Sequence, residues 1–320
     1  MLSRLLAALL AGLLLAGPAG AQYPTRPIKL VPHSAPGTGP DILARVLAAK
    51  LADYLGQPAV VENHVGSNGN MAVEFVAKSP ADGYTLLICT DAQLAINPHI
   101  YARMGADPNK DLVPVASIAR QEFLLVVGSS FPARTFSEFL EYARRANPPP
   151  FYGSAGNGSM SHLAMEMLKG RAGINLVHVP YKGGGSATVA ALLGGEISAA
   201  FGGTAVGAQI KSGKLRGVAV TGAARSVHYP DLPAIGETLP GFEVVTWVGM
   251  FAPVATPVEA IARLQVETAR FLALPEAKEK FNAAGGFEPW TIRPEEFAAA
   301  IRRDYDKYGK LAKDIGVRVD

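Results

Sequence analysis

Short apolar runs alternate with longer segments of helical periodicity along most of the chain, and this alternation constrains the fold more than any other feature. Ile28 to Val31 is typical of a strand, a loop follows to Gly39, and a helix is expected from Pro40 to about Tyr54. Two helices, 257–274 and 294–314, are expected to finish the chain. Strands separated by crossover helices favour a mainly parallel sheet covered on both faces, with ligands bound beyond the carboxyl ends of the strands.

The pattern occurs in two successive units, which predicts two lobes. The apolar runs 123–127 and 244–252 are long enough to be strands that cross between the lobes. A pair of crossings makes a hinge, and two hinged lobes can close on a ligand. We therefore predict an α/β fold of the two-lobed periplasmic-binding-protein kind (Venus-flytrap, type II-like), with a ligand cleft between a discontinuous first lobe, 22–122 and 246–320, and a second lobe, 123–245.

The first residues have the features of an export signal. Arg4 supplies a positive charge, 5–17 is an uninterrupted apolar run, and 19–21 is Ala-Gly-Ala, a small-x-small cleavage pattern. The apolar run is shorter than the roughly 20 residues that a membrane helix needs. We predict a signal peptide over residues 1–21 and a periplasmic location.

Charge and cysteine content exclude several classes of function. Lys+Arg number 30 against Asp+Glu 27, and no basic block stands out, so nucleic-acid binding is not expected. The single cysteine, Cys89, lies in an apolar run and is expected to be a buried, inert thiol; it is too far from the cleavage site for a lipid anchor. The six histidines show no metal-ligand spacing, and no phosphate-loop or dinucleotide motif occurs, so no metal and no cofactor are expected. We expect a monomer.

Two loops, 33–41 and 152–162, each join a strand to a helix, and neither contains Lys or Arg. At a helix N-terminus, N–H groups without intrahelical partners and the positive end of the dipole can hold a carboxylate, and glycines let the main chain approach it. The same glycines and serines are also ordinary turn and capping residues. The residues predicted from these loops to contact a ligand are His33, Ser34, Thr38, Gly39, Pro40, Asp41, Ser154, Ala155, Gly156, Asn157, Gly158, Ser159 and His162.

Three of these side chains have alternative roles. Asp41 either complements the helix dipole or meets a ligand amine, hydroxyl or bridging water. His162 is either a neutral donor to a ligand oxygen or a structural histidine. His33 either contacts the ligand or takes the place of an apolar residue at the strand end. A hydrolase or isomerase that uses Ser154 or Ser159 with His162 is a weaker alternative, because spacing assigns no partner carboxylate.

Several further motifs resemble one family, the tripartite tricarboxylate transporter substrate-binding receptors, also called Bug or TctC proteins. They are distributed over nearly the whole mature chain, at 23–28, 60–63 with 69–70, 80–87, 96–98, 152–159, 162–164 and 178–183. The resemblance implies a Venus-flytrap fold and an extracytoplasmic receptor that captures a small di- or tricarboxylate or aromatic acid for a membrane transporter. A receptor that reports its ligand to a membrane signalling partner is the alternative.

The resemblance also implies further cleft residues and one departure. Thr90 and Asp91, with Gly202, Gly203 and Thr204, would complete the cleft wall. The first loop is one residue longer than the family pattern. The water-mediated binding of the ligand by this loop, which is usual in the family, is therefore in doubt here. Glycines at 202 and 203 stand where larger side chains are common, so we expect room there for a bulkier or aromatic acid.

Overall fold

The structure is a computed structural model that describes residues 23–181, 184–203 and 206–319. The predicted signal peptide lies outside the described residues. The strands of the described residues are β1 Ile28–Pro32, β2 Ala59–Val61, β3 Thr85–Thr90, β4 Leu112–Gly128, β5 Phe151–Ser154, β6 Val177–Pro180, β7 Ala199–Gly203, β8 Leu215–Val220, β9 Val245–Pro253 and β10 Glu288–Pro289.

Helices alternate with these strands. They are α1 Gly39–Leu55, α2 Asn70–Ala77, α3 Asn97–Ile100, α4 Pro108–Asp111, α5 Phe136–Arg145, α6 Met160–Ala172, α7 Gly184–Leu193, α8 Gly207–Lys211, α9 Ile235–Thr238, α10 Val258–Leu272, α11 Pro275–Ala283 and α12 Pro294–Ile315. Ser67–Gly69 is a short 3₁₀-helix and Ala92–Ile96 a π-helical turn. The expectation of two final helices is wrong, because α11 forms between them, with Pro275 in its first turn.

The sheet confirms the predicted α/β class, but it is mixed and not mainly parallel, because β4 and β9 pair antiparallel with their neighbours. Its order is β2-β1-β3-β9-β4-β7-β5-β6, and β8 and β10 also pair with β4. β1 is parallel to β2 and β3, and β5 is parallel to β6 and β7, as the helical crossovers require. The carboxyl ends of β1 and β5 lead into the two predicted loops.

One strand runs through both parts of the sheet. The first part of β4, Leu112–Glu122, pairs with β9, whereas Phe123–Gly128 pairs with β7 and β8. The sequence predicts only 123–127 of this strand. The earlier part is harder to recognise because Pro114 and charged residues interrupt its apolar pattern and two register irregularities break its pairing with β9.

Helices cover both faces of the first part of the sheet. Leu86 and Ile88 of β3 pack in one core with α1, α10 and α11, whereas Leu87 and Cys89 pack in another with α2 and Phe297 of α12. Cys89 is fully buried, and burial raises the pKa of its thiol well above the usual value, in keeping with an inert thiol.

The apolar core of the second part of the sheet extends beyond the predicted second lobe. Phe139 of α5 and Leu163 of α6 share this core with Ile96 and Ile100 and with Tyr308 of α12. The last helix therefore packs on the first part of the sheet through its beginning and on the second part through its end.

Candidate ligand-binding cleft

A buried carboxylate fastens the first loop, which joins β1 to α1. Asp41 is 1% exposed. Its Oδ2 accepts hydrogen bonds from the N–H of Gly37 at 2.8 Å and from Nε of Arg45 at 3.1 Å, and its Oδ1 accepts one from Nδ2 of Asn63 at 2.8 Å. Burial opposes ionisation, but these bonds outweigh it and hold the pKa of Asp41 below its usual value. Both oxygens of Asp41 are thus engaged in holding the loop.

The helix that follows this loop begins without a side-chain cap. Thr38 occupies the N-cap position of α1, but its Oγ1 donates to the carbonyl of Ala35 at 2.7 Å, lies 2.7 Å from Oγ of Ser34, and does not bond a helix N–H. Gly39 and Asp41 lie in the first turn. Gly39 is partly exposed, whereas Asp41 is buried, so the N–H of Gly39 is the one available to an anion.

His33 lies at the end of β1 beneath this loop. Its N–H donates to the carbonyl of Ile88 at 3.2 Å, and Nδ1 lies 3.3 Å from the same oxygen. Burial lowers the pKa of His33 to about 4, so the ring is neutral at pH 7. This environment suits a residue that closes the end of a strand.

Neutral hydrogen bonds fasten the second loop, which joins β5 to α6. Oγ of Ser154 accepts from the N–H of Gly156 at 3.2 Å, and Oγ of Ser159 donates to the carbonyl of Gly156 at 2.7 Å. The N–H of Ala155 donates to Oγ of Ser161 at 3.1 Å. Ser159 also caps α6, in contrast to Thr38 at the start of α1.

A stack of rings supports the second loop from below. Nδ1 of His162 accepts from the N–H of Gly158 at 3.2 Å, and its ring stacks on His178 with centroids 4.0 Å apart. Burial, followed by the charge that His178 would carry, lowers the pKa of His162 to about 4. His162 is therefore neutral at pH 7, with its proton on Nε2 because Nδ1 accepts.

The same stack contains a serine–histidine pair, which bears on the hydrolase alternative. Oγ of Ser154 lies 2.6 Å from Nε2 of His178. Ser154 is 0% exposed, however, and the carboxylate of Glu166 bonds the hydroxyl of Tyr152 rather than His178. A nucleophile needs contact with its substrate, so this pair supports the loop and does not have the arrangement of a catalytic triad.

The segment Gly66–Gly69 belongs to the site, although the sequence analysis does not select it for ligand contact. Ser67 and Asn68 have φ of 48° and 49°, in the left-handed region that favours glycine. The carbonyl of Asn68 accepts from Nε2 of Gln93 at 2.7 Å and from Nδ2 of Asn97 at 3.0 Å. Strained backbone held by side-chain amides is frequent at binding sites. The flanking glycines and the asparagine are the signal that reveals this turn.

Thr90 and Asp91 lie behind this segment. Oγ1 of Thr90 donates to Oε1 of Gln93 at 2.9 Å, so it orients that amide. Asp91 is fully buried, its Oδ1 accepts from Oγ1 of Thr246 at 2.6 Å, and burial, assisted by Asp304, raises its pKa to about 8. Asp91 therefore has no surface that a ligand could contact in this structure, contrary to the expectation that it forms the cleft wall.

The glycines at the end of β7 let other side chains approach and do not open extra room. A Cβ on Gly202 would lie 2.8 Å from Cγ1 of Val206, and one on Gly203 would lie 2.6 Å from Nε2 of Gln121. The expected space for a bulkier acid is thus already occupied at these two positions. Thr204 lies outside the described residues.

Contacts join the two loops on one side of the cleft through the segment Gly66–Gly69. Gly69 lies between His33 and Gln93, because a Cβ there would come within 2.9 Å of His33 Cβ and 2.8 Å of Gln93 Nε2. Further along, Ile100 packs directly against Gly158 of the second loop. This side of the cleft is therefore continuous from the first loop to the second.

A second series of contacts joins the loops on the other side. Gly39 packs against the ring of Phe287, and Nε2 of Gln121 donates to the carbonyl of Gly285, two residues before Phe287. Gln121 in turn lies against Gly203, at the end of the strand next to β5. We call the two loops and these two series of contacts together the cleft ring.

Residues 204–205, which directly follow Gly203 of this ring, lie outside the described residues. Within the residues that the structure describes, no group of three or more His, Cys, Asp or Glu is arranged to hold a metal ion. No helix of the described chain is both long and apolar enough to cross a membrane.

The curled α/β sheet and the cleft ring define a two-lobed solute-binding protein. Residues 43–317 match the family described as tripartite tricarboxylate transporter family receptor, TctC, and the chain belongs to this family. The resemblance drawn from the sequence motifs is thereby confirmed.

Relatives cover nearly the whole chain. Protein BugT from Bordetella pertussis is 32% identical over 309 residues, which are 95% of this chain and 94% of the relative. The structure of Rpa4515 from R. palustris with adipate superposes with a TM-score of 0.83 at 34% identity and covers 92% of this chain and 99% of that one. MatC from Rhodopseudomonas palustris, with bound malate, has a TM-score of 0.78 at 27% identity and covers 90% of this chain and 99% of its own. The solved neighbours confirm the predicted two-lobed architecture.

Proposed function

We propose that this protein is an extracytoplasmic receptor that binds a small organic carboxylate inside the cleft ring and performs no chemistry on it. In this proposal the lobes are 22–122 with 246–320, and 123–245, and they close on the acid. The signal peptide at 1–21 directs export to the periplasm. The receptor acts as a monomer and delivers its ligand to the membrane subunits of a tripartite transporter.

The observation that carries this proposal is the pair of helix starts on the cleft ring. The first turn of α1 has no side-chain cap; in the second loop the N–H groups of Ala155, Gly156 and Gly158 hold the loop together, and the N–H of Asn157 is the one that this loop offers to an acid. Neither loop contains a cationic side chain. Backbone N–H donors in a closed cleft bind a carboxylate with charge-assisted hydrogen bonds, about twice as strong as neutral ones.

The solved neighbours suggest the first ligands to test. Adipate and malate, found in two of them, are dicarboxylates with chains of different length. A dicarboxylate suits a cleft with one amide-rich loop on each side, because each loop can hold one carboxylate. Among the aromatic acids, the occupied space at Gly202 and Gly203 disfavours bulky frames.

A ligand screen with matched variants tests the proposal. We expect one or more of adipate, malate and citrate to raise the melting temperature, to bind by calorimetry and to be recovered unchanged by NMR. Ala35 and Ala155 are exposed residues of the two loops, and Ala255 is an exposed alanine in the turn after β9. Ala35→Trp and Ala155→Trp should each weaken binding at least tenfold, while Ala255→Trp retains it. Depletion of the acid, or binding unaffected by both loop variants, would overturn the proposal.

A further inference from the structure

A cavity outside the cleft ring lies beneath the last helix. Its volume is about 330 Å³, it is partly open to solvent, and it is bordered by α4, the start of β4, Phe251 of β9 and one face of α12. Leu112, Phe251 and Ile301 form buried apolar walls. This volume is at the lower end of the range of about 300–1,000 Å³ that is usual for small-molecule pockets.

One cation and one phenol lie among these apolar walls. Arg302 and Tyr305 line the cavity from α12, together with Ala298 and Ile301, at the spacing of a single helix face. Arg302 is exposed and makes no ion pair with any carboxylate in the described parts of the chain. The next residue, Arg303, does not line the cavity.

The cavity also touches the segment that forms one side of the cleft ring. Leu94 lines it and lies in the π-helical turn Ala92–Ile96, next to Gln93. Nδ2 of Asn109, another lining residue, donates to the carbonyl of Leu94 at 3.0 Å. An occupant of the cavity would therefore contact the turn that carries Gln93.

We propose that this cavity is a second binding site, separate from the cleft, for a small aromatic monocarboxylate. The ring lies against Phe251 and Ile301, and the carboxylate pairs with Arg302. The walls favour a flat apolar frame, and a single unpaired cation favours a single carboxylate.

Fluorine NMR with 4-fluorobenzoate as the probe tests this proposal on the mature protein. We expect saturable binding, with 4-fluorobenzyl alcohol at least tenfold weaker because it lacks the charge. Arg302→Gln should weaken binding about tenfold, and Ala298→Phe should abolish it by filling the cavity. The matched variant Arg303→Gln, one position along the same helix, should bind within twofold of the wild type.

A variant of the cleft separates this site from the proposed receptor function. Ala155→Trp should leave the binding of 4-fluorobenzoate unchanged, whatever it does to aliphatic acids. The proposal is overturned if the wild type does not bind the probe, if Arg302→Gln binds as the wild type does, or if Ala155→Trp abolishes binding, since the probe then occupies the cleft. Circular dichroism of each variant establishes that loss of binding is not loss of fold.

Discussion

The two loops of the cleft ring occupy equivalent places after a parallel strand, yet opposite kinds of interaction hold them. An ionised carboxylate, Asp41, fastens the first loop through Gly37, Arg45 and Asn63. Neutral hydroxyls and a neutral imidazole, that of His162, fasten the second. The first leaves its helix start uncapped, whereas the second caps its own. Similar loops in sequence can therefore differ in how they offer N–H donors to an acid and in how they respond to pH.

Low pH should produce the largest difference in stability between the two loops. The pKa of His162 is about 4 in the folded protein against 6.5 as the ordinary value. This histidine therefore contributes stability above pH 6.5 that is lost as the pH falls through 4, because the unfolded chain takes up the proton first. His162→Gln removes this contribution. Urea denaturation measures the free energy of unfolding of both proteins. The difference between wild type and variant should fall by about 2–3 kcal/mol from pH 6.5 to 4.5. If the unfolding free energies of the two proteins change in parallel with pH, His162 does not hold the second loop.

Removal of the charge at Asp41 should break the first loop. Asp41→Asn leaves Arg45 without its carboxylate partner and puts an amide against the N–H of Gly37. Because Arg45 is about half exposed, we expect a loss of about 2 kcal/mol in unfolding free energy rather than the larger cost of a fully buried pair. Asp53→Asn, at an exposed position of the same helix, should change stability by less than about 0.5 kcal/mol. Equal losses in the two variants would contradict the role of Asp41.

Truncation of Ser154 should weaken the second loop by a smaller amount. Ser154→Ala removes a buried hydroxyl that accepts from Gly156 and lies against His178, at a cost of about 1–2 kcal/mol. Ser130→Ala, at an exposed position after β4, is the matched control and should be neutral. A stable Ser154→Ala protein that binds the acid as tightly as the wild type would show that this hydroxyl does not set the loop geometry.

The smallest effect is expected at the tip of the first loop. Gly37 has φ of 81°, and a Cβ there would meet no atom within 4 Å. Gly37→Ala therefore costs only backbone strain, about 1 kcal/mol, measured by thermal unfolding. A loss above about 3 kcal/mol would mean that the tip is packed and does not lie in open space.

Local sequence signals predict part of this structure well. The starts of α1 and α6 follow from Pro40 and Ser159, because capping and first-turn preferences act within a few residues. The strand-to-helix loops follow for the same reason. The fold class follows from the alternation of strand and helix.

Long-range packing decides what the sequence does not predict. Ser67 and Asn68 adopt their left-handed backbone because Gln93 and Asn97, more than 20 residues later, bond the carbonyl of Asn68. The burial of Asp91 depends on Thr246 and on α12, which are distant in the chain. A single sequence carries no local signal for either contact.

The amide groups themselves provide the most direct test of the central claim that both loops hold the acid. We propose a titration of the ¹⁵N-labelled mature protein with the tightest acid from the screen, followed by ¹H–¹⁵N correlation spectra. The account predicts that the amides of Gly39 and Asn157 shift along one common saturation curve. Shifts confined to one loop, or to residues outside the cleft ring, would contradict it.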